Sequence, residues 1–259
     1  SRGLHAVFQW EIAGEDGDYV LPPVRDEFAG LLISLAREEW PDTTAFSDPE
    51  IVWRIALSLD LLPPPSRVIK IAGSKGKGTT ARFAADLVAQ AKPDARVGLF
   101  VSPHEIQQTD RIRLDGAPMA ADEFCRTVDR ISAAVREEEA ALPPGQYISP
   151  VGYFLLIALD WYRRQGADYL VLECGRGARW DDVGRVASRV AVVTSVLNEH
   201  ADTLGPTLAD IAHDKFSVVG NSEIIVASSG SLAKASDFDR SIAEEVRQPE
   251  ATGGVPRWI

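Results

Sequence analysis

The sequence has few cysteines, fewer basic than acidic residues, and no long apolar run. The two cysteines, Cys125 and Cys174, are isolated and form neither a metal-binding spacing nor a disulfide framework, which predicts a protein of the reducing cytoplasm. The net charge of −11 argues against unspecific binding of nucleic acid, because that binding depends on surplus lysine and arginine. No apolar run approaches the roughly 20 residues of a membrane-spanning helix. We therefore expect neither a nucleic acid nor a membrane as a partner.

The most informative stretch is glycine-rich: residues 73–80, GSKGKGTT, lie between an apolar run at 68–72 and a helical pattern. A strand, a glycine loop and a helix in that order form a phosphate cradle, because backbone N–H groups and the helix N-terminus face the anion. Lys77 is predicted to reach the outer phosphates, and a following hydroxyl to face Mg²⁺. The standard pattern has glycine where this chain has Ile71 and Ser or Thr where it has Gly78. A plain glycine-rich turn therefore remains an alternative.

Strand-like apolar runs at 68–72, 96–101, 168–173, 189–195 and 223–227 alternate with helical patterns. Continuous apolar strands separated by helices are typical of a mostly parallel sheet covered on both faces, so the predicted fold is a P-loop-containing α/β domain. Ligands of such sheets bind beyond the carboxyl ends of the strands. The polar groups at 73–80, 102–104, 173 and 198–200 all follow predicted strands, and we expect them to converge on one site.

Three segments are predicted along the chain. Residues 1–66 form an N-terminal strand (4–12) and helices (23–39 and 48–61) that pack on the core, with Asp48 as the N-cap of the second helix. Residues 67–235 form the ATP-binding α/β domain. Residues 236–259 form a tail with a short helix at 236–246 and an irregular end at 249–259.

These motifs together resemble the ATP-binding domain of the Mur ligase superfamily, in its folylpolyglutamate synthase branch. The resemblance covers about residues 45–228 and rests on six segments in the same order as in that family. Residues 73–80 resemble its GTNGKGST loop, 102–104 its TSPH motif, 110–116 its ERIRING segment, 173–181 its EVGLGGRLD, 194–200 its TSIGLDH, and 204–215 its LG-TL-IA-EK run.

The resemblance implies a ligase that uses ATP and Mg²⁺ to join a small carboxylic acid to an amine or amino acid through an acyl phosphate. It implies that the nucleotide is bound by Gly73, Ser74, Lys75, Gly76, Lys77, Gly78, Thr79, Thr80 and Arg179. The implied metal positions are Ser102, Glu173 and His200. The implied catalytic residues are Lys77, His200 and Lys215, the last matching a lysine that is carbamylated in many members. From the residues alone, a surface carboxylate at 173, a core histidine at 200 and a solvated lysine at 215 remain alternatives.

Several positions depart from the family pattern. Lys75 replaces the loop asparagine, Glu199 replaces the aspartate before the histidine, and Leu155 replaces the carboxylate of the folate enzymes' TYFE motif, which weakens the case for folate. The family's GGR segment is GAR in this chain, at 177–179, and the asparagine that follows it in the family is replaced by Gly184. The family's EKAGI segment is DKFSV in this chain, at 214–218.

The second α/β domain of full-length relatives does not fit into the about 30 residues after Ala227. We therefore expect a shortened form of a longer protein, one half of a two-subunit enzyme whose partner supplies the missing lobe, a homo-oligomer, or a domain with another task. Three functions remain open. They are a ligase half, a non-catalytic nucleotide-binding regulatory or scaffold subunit, and a small-molecule kinase or ATPase.

Overall fold

The computed structural model describes residues 46–104, 106–144, 146–228 and 257–258. Its helices are α1 (Pro49–Ser58), α2 (Lys77–Ala91), α3 (Ala121–Ala140), α4 (Pro150–Arg164), α5 (Ala201–Leu204) and α6 (Leu208–Phe216). Its strands are β1 (Phe46–Ser47), β2 (Val68–Ala72), β3 (Val97–Phe100), β4 (Ile112–Leu114), β5 (Ala117–Pro118), β6 (Gln146–Tyr147), β7 (Tyr169–Glu173), β8 (Ser188–Val193), β9 (Ser222–Ala227) and β10 (Arg257–Trp258). Short 3₁₀ turns lie at Pro65–Arg67, Gln108–Arg111, Val183–Arg185 and Ser217–Asn221.

The main sheet has eight strands in the order β10-β9-β8-β2-β7-β3-β4-β5, and β1 pairs separately with β6. All pairs from β10 to β3 are parallel, whereas β4 and β5 form an antiparallel hairpin at the edge. The mostly parallel α/β fold predicted from the sequence is therefore confirmed. The β4–β5 hairpin was not predicted, because its two short strands lie in or next to a largely polar stretch of the sequence.

The central strands are buried on both faces, which explains their unbroken apolar sequences. Successive side chains of β7 belong to different cores: Leu170 and Leu172 join the larger one, and Val171 joins the smaller. Helix α2 packs on β2, β3 and β7 and contributes Ala81 and Ala85 to the smaller core. Helices α1, α3 and α4 pack on one another and on the larger core.

Three helices begin at residues whose side chains cap the helix N-terminus. The side chain of Asp48 accepts a hydrogen bond from Glu50 N (2.9 Å), which confirms Asp48 as the N-cap of α1. Ser149 caps α4 in the same way, with Pro150 in the first turn. Thr207 and Asp210 form a capping box at α6, which ends at Phe216.

The strand predicted at 4–12 and the helices predicted at 23–39 and 236–246 lie outside the described residues. The prediction that 249–259 is irregular is wrong at Arg257 and Trp258, which pair in parallel with Ile224 and Ile225. This pairing satisfies backbone groups that β9 would otherwise present as an open sheet edge. Among the described residues, no helix is both long and apolar enough to cross a membrane.

Candidate functional site

The glycine loop, residues 73–76, joins β2 to α2 and lies against the carboxyl end of β8. Gly73 has φ +131°, and a Cβ there would lie 2.1 Å from Thr194 Oγ1 and 2.9 Å from Thr194 N, so only glycine fits. Ser74 N donates to Ser195 O (2.7 Å), and Leu197 N donates to Ser74 Oγ (2.9 Å). The loop is therefore attached to the segment after β8 by a main-chain hydrogen bond and by a bond to the buried side chain of Ser74.

Helix α2 begins directly after this loop, with Gly76 at φ +80° preceding Lys77. The N–H groups of the first helical turn have no acceptor within the helix, which makes them donors for an anion. Lys77 Nζ lies 3.4 Å from Ser74 O, so this side chain folds back over the loop. A Cβ at Gly78 would lie 3.2 Å from Glu173 Oε2, which places the start of the helix directly against that carboxylate.

Glu173 ends β7 and is 3% exposed, opposite Ile71 of β2 in the sheet register. Burial raises the pKa of the Glu173 carboxyl, while the hydrogen bond from Ser102 N (3.0 Å) and the charge of Lys77 partly offset that rise. The alternative of an ordinary surface carboxylate is excluded by this burial. Ser102, predicted as a metal ligand with Glu173, is in fact beside it.

His200, the third predicted metal position, is at the surface. It is exposed at the N-terminus of the short helix α5, with a left-handed φ of +53°, so the alternative of a core histidine is wrong. Within the part of the chain that the structure describes, no group of three or more His, Cys, Asp or Glu side chains is assembled as a metal site. The structure thus joins Ser102 to Glu173 and shows no hydrogen bond from His200 to either.

Lys215 of α6 is 1% exposed, which excludes a solvated lysine. Its Nζ donates to Gly73 O (3.2 Å) and to Glu199 Oε1 (3.1 Å). An ammonium group has three N–H donors and can make both contacts at once. Lys215 therefore connects α6 to the first residue of the glycine loop.

Glu199 contacts two lysines that stand far apart in the sequence. Its second oxygen, Oε2, lies 3.4 Å from Nζ of Lys75, whose side chain is 76% exposed. Partial burial alone would raise the pKa of Glu199, but the hydrogen bond and charge of Lys215 outweigh it and lower that pKa. The sequence interpretation treated Lys75 and Glu199 as unrelated departures and missed this pairing, for which their opposite charges were the available signal.

Arg179 lines a cleft of about 280 Å³ beside α6. Its guanidinium carbon is 5.6 Å from the centre of the Trp180 ring, and Nη1 is 3.5 Å from His213 Nδ1. Asp214 Oδ1 accepts from Ala178 N (2.7 Å) and holds this loop against α6. No hydrogen bond joins Arg179 to the glycine loop among the described residues, so its predicted contact with the nucleotide has no support from this geometry.

Asp181 is a buried group that the sequence interpretation did not single out. Its oxygens accept from Gly175 N (2.9 Å) and Val183 N (3.0 Å), so it shapes the loop after β7. Burial, with the neighbouring charge of Asp182, raises the pKa of Asp181 to about 8. Its place in the motif at 173–181 was the only signal of its importance.

The sequence matches no family model. A dihydrofolate synthase/folylpolyglutamate synthase of Mycobacterium tuberculosis is 32% identical over 207 residues, which are 76% of this chain and 42% of that protein. The chain is therefore similar to folylpolyglutamate synthases, which are Mur ligase superfamily enzymes, over about three quarters of its own length. The resemblance seen in the sequence motifs is confirmed.

Solved folylpolyglutamate synthases share the fold. The Mycobacterium tuberculosis folylpolyglutamate synthase complexed with ADP and AMPPCP superposes with a TM-score of 0.70 at 23% identity, over 90% of this chain and 50% of that one. Escherichia coli FolC in complex with DHPP and ADP gives 0.66 at 26% identity, over 91% and 52%. The chain therefore spans less than half of the curated relative and about half of these solved structures.

Proposed function

We propose that this chain is the ATP-binding part of a carboxylate–amine ligase of the folylpolyglutamate synthase type. The proposal depends on one observation: the glycine loop, the buried carboxylate of Glu173 and the buried ammonium of Lys215 meet at the carboxyl ends of β2, β7 and β8. The complexes of the related Mycobacterium tuberculosis enzyme with ADP and AMPPCP support a nucleotide as the ligand of this loop. In this proposal residues 67–235 are the nucleotide-binding unit, with 1–66 packed on it and 236–259 as a tail.

The described residues fit a magnesium–nucleotide complex. Gly76 leaves open space above the loop, and Gly78 places no side chain between the backbone of α2 and the Glu173 carboxylate. Magnesium prefers oxygen ligands, and Glu173 and Ser102 provide a carboxylate and a hydroxyl, with His200 as the third predicted member. When bound, the ion would supply positive charge to the β- and γ-phosphates.

The chain's own groups would bind and orient the triphosphate. The N–H groups at the start of α2 donate to phosphate oxygens, and Lys77 turns from Ser74 O to the outer phosphates. Lys215 holds the carbonyl of Gly73 and so preserves the curve of the loop. An oxygen of the acid substrate then attacks the γ-phosphorus and ADP leaves. The amine next attacks the acyl carbon, loses a proton and displaces phosphate.

The acid and the amine are proposed as small molecules, the amine being an amine or amino acid. Position 155 of the TYFE-like segment is a leucine that is 1% exposed within the larger core. A substrate-binding carboxylate is therefore absent at that position, which favours an acid other than folate. Exclusion of water from the acyl phosphate requires a second lobe, contributed by the rest of a longer chain, a partner protein or a second copy.

The test is nucleotide binding and turnover with a matched pair of variants. Lys77→Ala is expected to weaken ATP binding about tenfold or more, because it removes a charge from the phosphate site. Lys92→Ala, which removes an exposed lysine at the other end of α2, serves as the control. Equal affinities for both variants would overturn the proposed site.

Turnover separates the three functions. Amide formation on addition of the second lobe supports the ligase. ADP release with an acid but without any amide product supports a small-molecule kinase. Nucleotide binding without turnover under every condition supports a regulatory or scaffold subunit.

A further inference from the structure

Glu199 lies between two lysines that are held very differently. Lys215 is buried and has a second acceptor in Gly73 O, so its position is determined by the fold. Lys75 is largely exposed, and its ammonium group contacts Glu199 Oε2 at 3.4 Å. The side chain of Glu199 is 14% exposed, but that of Lys75 is 76% exposed and is free to reach another partner, and an ion pair with such a surface lysine contributes little to stability. Of the two contacts that Glu199 makes with lysines, the one with Lys75 is therefore weaker than the one with Lys215.

The backbone of Lys75 is fixed although its side chain is exposed. Lys75 N donates to Ser195 Oγ (3.0 Å), and Ser195 Oγ donates to Lys75 O (3.3 Å). Rotation about the side-chain bonds of Lys75 thus changes the position of its charge without disturbing the loop. The residue lies between Gly73 and Gly76, within the segment that faces the phosphates.

We propose that Lys75 is a triphosphate-sensing residue. In the free protein its ammonium group pairs with Glu199 beside the loop. When a nucleoside triphosphate binds, the ammonium group leaves Glu199 and pairs with the terminal phosphate. This inference rests on the proposed nucleotide site and names a residue that selects its ligand.

The direction of the exchange follows from charge. Glu199 carries one negative charge, which it shares between Lys75 and Lys215. A triphosphate offers several charged oxygens to the ammonium group of Lys75. After the exchange Glu199 remains paired with Lys215, so no buried charge is left without a partner. A diphosphate lacks the terminal group, and Lys75 then stays on Glu199. The arrangement distinguishes ATP from ADP through a lysine other than Lys77.

The test compares AMPPCP with ADP by calorimetry on the intact chain in the presence of Mg²⁺. Lys75→Met is expected to weaken AMPPCP binding about tenfold and ADP binding less than about twofold. Glu199→Gln keeps an acceptor for Lys215 but releases Lys75, so AMPPCP binding is expected to strengthen about threefold. The double variant is expected to bind like Lys75→Met alone. Lys92→Met, a matched loss of an exposed lysine, is expected to change neither affinity.

The outcomes separate this inference from the proposed function. An unchanged ratio of AMPPCP to ADP affinity in Lys75→Met would overturn the inference and leave the nucleotide site intact. If Glu199→Gln weakens AMPPCP binding to the same extent as Lys75→Met, the contact between Lys75 and Glu199 persists when the nucleotide is bound and stabilises the loop. That result would also overturn the inference. If the unmodified chain binds neither nucleotide, both proposals fail. Should Glu199→Gln not fold, Lys75→Met alone decides, because its side chain is exposed.

Discussion

Two charged residues beside the glycine loop, Glu173 and Lys215, are buried. Glu173 and Lys215 are 3% and 1% exposed, and each has few partners for its charge. Such groups are costly to bury, so they are retained where a ligand or a loop needs them. Glu173 has one hydrogen bond from Ser102 N and faces the start of α2, while Lys215 supports Gly73. Glu173 can therefore accept a further contact from a ligand, whereas Lys215 already stabilises the glycine loop.

Glu173→Gln is expected to separate the stability of the chain from nucleotide binding. Glutamine keeps an acceptor for Ser102 N but removes the negative charge, so the Mg²⁺-dependent part of ATP affinity is expected to fall about tenfold or more. The melting temperature is expected to hold or rise, because burial disfavours the charged carboxylate. Calorimetry with and without Mg²⁺, together with thermal unfolding, measures both effects.

Glu223→Gln is the matched control, because Glu223 is an exposed carboxylate on β9. If Glu173→Gln keeps full Mg²⁺-dependent affinity, Glu173 has no part in binding the metal.

At the scale of elements, three strands and one helix position the site. The register opposes Ile71 to Glu173 and Ala72 to Val193, so the residues after β2 and β8 and the last residue of β7 lie at one edge of the sheet. The loop after β2 can then lie on the backbone after β8 only because Gly73 has no side chain. The site thus depends on close approach between two strand ends.

Gly73→Ala is expected to disrupt this approach. The new Cβ would collide with backbone and side-chain atoms of Thr194, and φ +131° is strained for alanine. A loss of about 2–4 kcal/mol in the free energy of unfolding is expected, together with loss of ATP binding. Chemical denaturation and calorimetry provide the measurements.

The comparison variant is Gly116→Ala in the β4–β5 turn, where φ is +82° and a Cβ meets no atom within 4 Å. That change is expected to cost only about 1–2 kcal/mol, from the left-handed backbone alone, and to leave ATP binding unchanged. Equal losses in the two variants would mean that the contact with Thr194 is unimportant.

At the scale of the whole molecule, buried carboxyl groups make stability depend on pH. Burial raises the pKa of Asp181 to about 8 and that of Asp182 to about 6, and it also raises the pKa values of Glu173 and Asp214. Between the ordinary pKa of an aspartate, about 3.9, and these raised values, the folded chain binds more protons than the unfolded chain. The free energy of unfolding therefore falls as the pH rises through this range.

From pH 5 to pH 8 the unmodified chain is expected to lose stability, with Asp181 contributing up to about 1 kcal/mol per pH unit. Asp181→Asn removes this titration and is expected to flatten the curve, as measured by urea denaturation at several pH values. Asp94→Asn, at an exposed position, is expected to keep the slope of the unmodified chain. A slope that is equally steep in Asp181→Asn would show that Asp181 is not buried in its neutral form.

The sequence by itself determined the elements whose signals are local. Unbroken apolar runs predicted β2, β3 and β7, the capping residue Asp48 predicted the start of α1, and the glycine loop predicted a phosphate cradle. These features depend on a few neighbouring residues, and the similarity to folylpolyglutamate synthases agrees with them.

Only the tertiary structure decided which side chains meet. Lys75, Glu199 and Lys215 are distant in the chain, and their contact depends on how α6 and the end of β8 lie against the glycine loop. The same holds for the burial of Lys215, the exposure of His200 and the closure of the sheet edge by β10. Long-range packing sets these features, and no local periodicity encodes it.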